Sequence, residues 1–239
     1  MLSFIIPAYN EEALIEATVK QLQVSAEALG HDYEIIVVDD ASTDETAKVA
    51  KAAGARVVDV DNRQIAATRN AGAASANGDV FIFVDADTLV PAATLRAAIR
   101  ALDNGAIAGG ATIKFRGRIS AAGRFAAAMI QLPLFLSGIV GGCFMFMSRG
   151  AFEAVGGFDE SFFASEEVWL TWALRRRGRF VTLNQQVQTS GRKLRQDSAF
   201  QLLKKVAILM LKGPAALRKR EHLDMWYDGR REGKGADNV

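Results

Sequence analysis

Cysteine is almost absent from this 239-residue chain: Cys143 stands alone in an apolar run, so no internal disulfide can form, and a reducing cytoplasm suits it. Histidine is nearly as scarce, with only His31 and His222. No basic stretch precedes the apolar start Met1–Pro7, which is too short for a secretory signal. No Gly-x-Gly-x-x-Gly follows that segment, which weighs against a Rossmann oxidoreductase. Neither sign of charge dominates, at a net +2, yet Met1–Gly191 carries 17 basic and 21 acidic residues while Arg192–Val239 carries 12 and 6. The tail either meets an anionic surface or is a solvated basic end. With 50% hydrophobic and 23% charged residues, the composition is globular and the length fits one α/β domain.

What is present is an alternation of strand and helix signals. Leu2–Pro7 reads as a buried strand, and Ile15, Val19, Leu22, Ala26 and Leu29 then recur at helical spacing. Glu34–Asp39 is a second strand, followed by helix-starting chemistry in Asp40-Ala-Ser-Thr-Asp-Glu. Arg56–Val60 is a third strand, Ile65–Ala76 a helix and Val80–Val84 a fourth strand. The pattern predicts a mostly parallel, Rossmann-like sheet with helices on both faces. Ligands of such sheets bind beyond the carboxyl ends of the strands. Here those ends are Pro7-Ala-Tyr-Asn-Glu, Asp39-Asp40 and Asp85-Ala-Asp, which are expected to converge on one crevice.

The run Val80–Asp87 ends a buried-strand pattern in two carboxylates one residue apart. Asp85 and Asp87 can therefore share one hard cation; oxygen ligands suit Mg²⁺ or Mn²⁺, which would bridge to a substrate's phosphates. The competing expectation is that the pair caps a helix starting near Pro91. Tyr9 offers an aromatic face. Asp39 and Asp40 either accept hydrogen bonds from a base edge or N-cap the following helix.

Ile5-Ile-Pro-Ala-Tyr-Asn-Glu-Glu, Ile36-Val-Val-Asp-Asp-Ala-Ser-Thr-Asp, Thr68-Arg-Asn-Ala-Gly, Asp85-Ala-Asp, Gly156-Gly-Phe-Asp-Glu and Glu166-Glu before Leu174-Arg-Arg-Arg-Gly occur in that order. Together they resemble family-2 glycosyltransferases of the GT-A fold, from Met1 to about Leu183. The resemblance implies a metal-dependent, inverting hexosyltransferase that uses a nucleotide sugar, with a UDP-sugar favoured. The acceptor would be a glycan or a lipid-linked molecule of the cell envelope, with no nucleic-acid partner. By resemblance Pro7, Ala8, Tyr9, Glu11, Asp39, Asp40, Arg69, Asp85 and Ala86 form the nucleotide site, and Asp85 and Asp87 hold the metal. Gly157, Asp159 and Glu160 shape the acceptor side. The base is Glu167, in the place of the family's aspartate, or its neighbour Glu166. Relatives that complete the metal site with a downstream histidine have no counterpart here. Arg192 and Lys193 stand near that place and either contact the diphosphate or are solvated. A nucleotidylyltransferase is the enzymatic alternative, but its glycine-rich N-terminal loop is missing; a non-catalytic nucleotide- or sugar-binding protein is the other.

The expected organisation is a GT-A domain over residues 1–190, with a nucleotide-binding half, 1–110, and an acceptor-side half, 111–190. Residues 191–239 form a helical basic extension. Ala126–Met147 is long enough to span a bilayer but contains Gln131, Pro133 and three glycines, so it is read as core. In Ser198–Leu211 a lysine stripe beside a broad apolar face fits either an interfacial helix or one packed on the domain. The corresponding location is cytoplasmic, extending to peripheral contact with the inner face of the cell membrane.

Overall fold

The computed structural model describes residues 1–196 and, beyond them, Phe200, Gln201, Lys204, Leu217 and Arg218. Most of Ser198–Leu211, most of the basic tail and the Lys193 side chain lie outside the described residues. The elements are β1 (Leu2–Ala8), α1 (Ile15–Glu27), β2 (Tyr33–Asp40), α2 (Thr46–Ala52), β3 (Arg56–Val60), α3 (Ile65–Ser75), β4 (Val80–Val84) and β5 (Thr88–Leu89). They continue as α4 (Ala92–Asp103), β6 (Ala108–Arg116), α5 (Ala121–Leu136), β7 (Phe144–Ser148), α6 (Arg149–Ala154), α7 (Glu166–Arg175), β8 (Phe180–Ser190) and α8 (Arg192–Gln196).

One eight-stranded sheet runs β3-β2-β1-β4-β7-β6-β8-β5. Its first four strands are parallel, as the alternation predicts. Beyond β4 the sheet is mixed: β7 is antiparallel to both β4 and β6, β8 parallel to β6, and β5 antiparallel to β8. Period-two alternation sends Phe4, Ile6, Val37, Ile82, Val84, Phe144 and Phe146 into one core. Ile5, Ile36, Val38, Phe81, Phe83, Met145 and Met147 go into the other. Helices α1 and α4 contribute Ile15, Val19, Leu22, Leu95 and Ala98 to the first core. Helices α3, α6 and α7 contribute Ala66, Phe152, Leu170 and Leu174 to the second. With both faces covered, the strands can be continuously apolar, and their ligand-facing groups are confined to their ends.

The Asp85–Asp87 pair does not cap the next helix. A turn and β5 intervene, and α4 starts from Pro91 with no side-chain cap. The reading of Ala126–Met147 as core holds for β7, all but its last residue buried, but not for α5, which exposes Phe125, Met129 and Leu132. Among the described residues no helix is long and apolar enough to cross a membrane.

Candidate active site

The carboxyl ends of β1, β2 and β4 open onto a cavity of about 690 Å³. Pro7, Ala8, Tyr9, Glu11, Asp40, Arg69, Asp85, Ala86, Asp87, Glu166, Glu167 and Arg192 all reach it. The structure thus brings most of the sequence-predicted residues together. Among the described residues the non-glycine positions with positive φ are Asn10 (53°), Ala41 (57°), Arg63 (50°) and Ser165 (60°). Three of them line the cavity and Asn10 adjoins Glu11, so left-handed backbone clusters at one rim. Ser165 takes this conformation directly before the acid pair that opens α7, turning Glu166 and Glu167 toward the cavity.

Arg69, on α3 and only 2% exposed, is the hub of the floor. Its guanidinium forms a buried ion pair with Glu166, donates to Asp85 Oδ1 at 2.8 Å and to the Gly142 carbonyl at 2.9 Å. A Cβ on Gly142 would come within 3.2 Å of Arg69 Nη2 and 3.5 Å of the Glu167 carboxyl carbon, so only glycine leaves this approach unimpeded. Burial opposes the Arg69 charge, but Asp85 and Glu166 outweigh it and raise its pKa. Three carboxylates around one guanidinium cannot all stay ionised. Burial, then the Glu166 charge, push the Glu167 carboxyl up to about 8. Glu167 has no ion-pair partner among the described residues, so it is the one that takes the proton. Burial also raises the pKa of Glu166, against the opposing charge of Arg69. Burial pushes up the pKa of the Cys143 thiol, which also lines the cavity.

A second cluster ties the chain's first loop to its last described helix. Arg192 donates to both oxygens of Glu11, at 2.7 and 2.6 Å, and lies 3.2 Å from Asp87 Oδ2. Asp87 Oδ1 accepts from Thr189 Oγ1 at 3.0 Å. Burial would lower the Arg192 pKa, but Glu11 and Asp87 more than reverse this, so the guanidinium stays charged. Arg192 therefore sits where a downstream histidine was sought, with Glu11 as its main partner. Thr189 opens the Thr189–Lys193 stretch that stands where the histidine is expected, but a lone threonine on a strand gives no signal of its own role until β8 pairs with β5.

Other expectations need correction. Asp39 does not reach the cavity; its carboxylate accepts from the Ser42 hydroxyl. Asp40 reaches it, but its oxygens accept from the amides of Asn62, Arg63 and Gln64 at 2.7, 2.8 and 3.1 Å and from Thr68 Oγ1 at 2.7 Å. Four donors fill the lone pairs of a carboxylate, so Asp40 clasps the start of α3 and leaves no acceptor for a base edge unless one bond opens. The helix it secures is not the following one, α2. Gly157, Asp159 and Glu160 lie outside the cavity. Asp159 accepts from the Ser161 amide at 2.9 Å, and Glu160 Oε1 from Asn70 Nδ2 at 2.8 Å. Gly157, at φ 78°, is needed because a Cβ there would strike Asn70 Oδ1 at 2.8 Å. Asn70 and the cavity-lining Gln64 tie the loop to the start of α3.

A parallel four-strand half ending in paired carboxylates, continued into a mixed half whose helix α7 delivers a second acid pair, defines a GT-A glycosyltransferase fold. The family model for glycosyl transferase family 2 matches residues 3–156, and the chain belongs to that family. An undecaprenyl-phosphate 4-deoxy-4-formamido-L-arabinose transferase of Pseudomonas fluorescens is 36% identical over 96 residues, 37% of this chain and 28% of that relative's length. A mannosyltransferase from Pyrobaculum calidifontis, solved with GDP-Man and Mn²⁺, superposes with a TM-score of 0.62 at 22% identity, covering 87% of this chain and 64% of its own. The glucosyl-3-phosphoglycerate synthase of Mycobacterium tuberculosis, solved with Mn²⁺, UDP and phosphoglyceric acid, gives 0.60 at 21% identity, covering 89% and 78%. These two likenesses concern the fold.

Proposed function

We propose that this chain is an inverting glycosyltransferase that moves a sugar from a nucleotide-diphosphate sugar, a UDP-sugar in first place, to a hydroxyl of a lipid-linked envelope acceptor. The observation that carries this reading is the convergence of Pro7–Glu11, Asp85–Asp87 and Glu166–Glu167 on one cavity. The nucleoside would lie against Tyr9 and the end of β1. The lipid-linked acceptor is supported by the Pseudomonas relative, whose name specifies undecaprenyl phosphate. It is also supported by the apolar arm of the cavity, formed by Ile113, Phe115 and Ile130.

Asp85 and Asp87 fit a hard divalent cation. Both are oxygen donors at the same lip, and among the described residues no third acid, histidine or cysteine joins a ligand cluster. Two carboxylates completed by substrate phosphates is the set Mg²⁺ or Mn²⁺ prefers. A cation there would neutralise the departing diphosphate. Thr189 fixes the Asp87 carboxylate, and Arg192 supplies positive charge beside it. In its ionised form, reached as the pH rises through about 8, Glu167 takes the proton of the attacking hydroxyl; Glu166 holds Arg69, which holds Asp85, so the acid pair and the carboxylate pair keep a fixed spacing. Direct displacement then inverts the anomeric carbon.

The test is a nucleotide-diphosphate titration with and without Mn²⁺, for wild type and Asp87→Ala, alongside a transfer assay. Wild type should bind a nucleoside diphosphate more tightly in Mn²⁺, and the variant should lose at least about tenfold of that affinity, the scale of a disrupted metal site. Circular dichroism checks the variant's fold. Equal affinities in saturating metal would defeat the metal assignment, and a wild type that binds donor but neither transfers nor hydrolyses it would leave a binding protein.

A further inference from the structure

Helix α5 has two apolar faces, and among the described residues only one is packed against the rest of the protein. Ala126, Ala127 and Ile130 pack on Phe115, Ile119 and Leu194, and Ala127 and Ile130 also wall the cavity. Phe125, Met129 and Leu132, spaced to share the other face, are 64, 52 and 56% exposed. Three large apolar side chains in one stripe are more than the scattered exposure of ordinary surfaces. Cations frame the stripe: Arg118 and Arg124 are exposed near its start, and beyond its end Arg175 donates to the Ser137 carbonyl at 2.6 Å. From Asn104 to Phe152 the chain contains no acidic residue.

Charge decides between the possible occupants. A second copy of this face would set Arg118 and Arg124 against their own equivalents with no carboxylate to offset them. The chain's own tail, with 12 basic residues against 6 acidic, repels the same cations. A surface that offers hydrocarbon beneath anionic headgroups satisfies both features. We infer that α5 is a membrane-contacting element. It lies on an anionic bilayer with Phe125, Met129 and Leu132 immersed and Arg118 and Arg124 at headgroup level. Because the opposite face of α5 walls the cavity, a lipid-linked acceptor would reach Glu167 by passing along the helix edge. The inference rests on the glycosyltransferase reading proposed above, but its test is separate.

Wild-type full-length protein is co-sedimented with vesicles of phosphatidylcholine, with and without phosphatidylglycerol, at low and high salt. Two variants accompany it: Phe125→Gln/Met129→Gln/Leu132→Gln, and Arg118→Glu/Arg124→Glu. Wild type should pellet with the anionic vesicles and weaken with salt. Each variant should lose at least about tenfold in partitioning, equivalent to about 1.4 kcal/mol. Nucleotide affinity in Mn²⁺, unchanged in both variants, shows that they are folded. The charge variant leaves the apolar stripe intact, should the triple variant fail to fold. The inference is overturned if wild type stays in the supernatant at low salt, or if a folded variant binds as wild type does. It is also overturned if wild type proves to be a dimer that the triple variant dissolves. Loss of nucleotide binding in wild type would instead count against the proposed function.

Discussion

Glu167→Gln is expected to lower turnover by roughly 10²–10⁴, the range for a lost general base, while nucleotide affinity stays within a few-fold. The base acts on the acceptor, so the donor site need not register its loss. Because burial and the neighbouring Glu166 charge raise its pKa to about 8, kcat/KM of the wild type should climb through that pH, and the climb should vanish in the variant. Stability should shift oppositely. A carboxyl whose pKa is raised on folding favours the fold while protonated, and that contribution is lost as the pH rises through the folded value. Glu167→Gln, which cannot ionise, should therefore gain stability relative to wild type between the ordinary 4.5 and about 8. Glu166→Gln should reduce turnover less. If Glu166→Gln abolishes transfer while Glu167→Gln stays active, the base is Glu166. If both remain active, the acceptor is already ionised, as a phosphate is, and needs no base.

Arg69→Met should cost about 3–5 kcal/mol in urea unfolding, the scale for stripping one partner from a buried ion pair. Glu166 is 3% exposed and would lose its cation, while Asp85 and the Gly142 carbonyl would each lose a donor. Adding Glu166→Gln to Arg69→Met should return part of the loss, because the stranded charge is then gone; a double-mutant cycle measures the coupling. A cycle showing full additivity would mean the two side chains do not act as a pair.

The donor half was legible because its strands are apolar runs that end abruptly in polar residues, and their carboxyl ends define the crevice whatever the precise pairing. Asp40 was legible as a helix-securing group but not as to which helix. Its donors Asn62–Gln64 follow β3, and that adjacency exists only once β2 and β3 pair. The family resemblance set Asp159 and Glu160 on the acceptor side; that Asn70 ties their loop to α3 emerges only once the two meet in the fold. In α5 the exposed stripe was hidden because its opposite face is equally apolar, which erases the helical period that would have separated the two.

The pairing of β5 with β8 bears on the order in which the molecule can assemble. Thr88 meets Thr189 across 101 residues, and Glu11 meets Arg192 across 181. Among the described contacts such closures span the longest loops, and loop-closure entropy predicts that they form after the parallel strands have paired with nearer neighbours. Until they form, Glu11 and Asp87 lack the Arg192 guanidinium that joins them, whereas Asp85 already has Arg69. A newly made chain should therefore hold a formed sheet nucleus before it can hold a nucleotide. Removing the residues from Thr189 onward should leave that nucleus standing but deprive it of the cation that quiets its acidic rim.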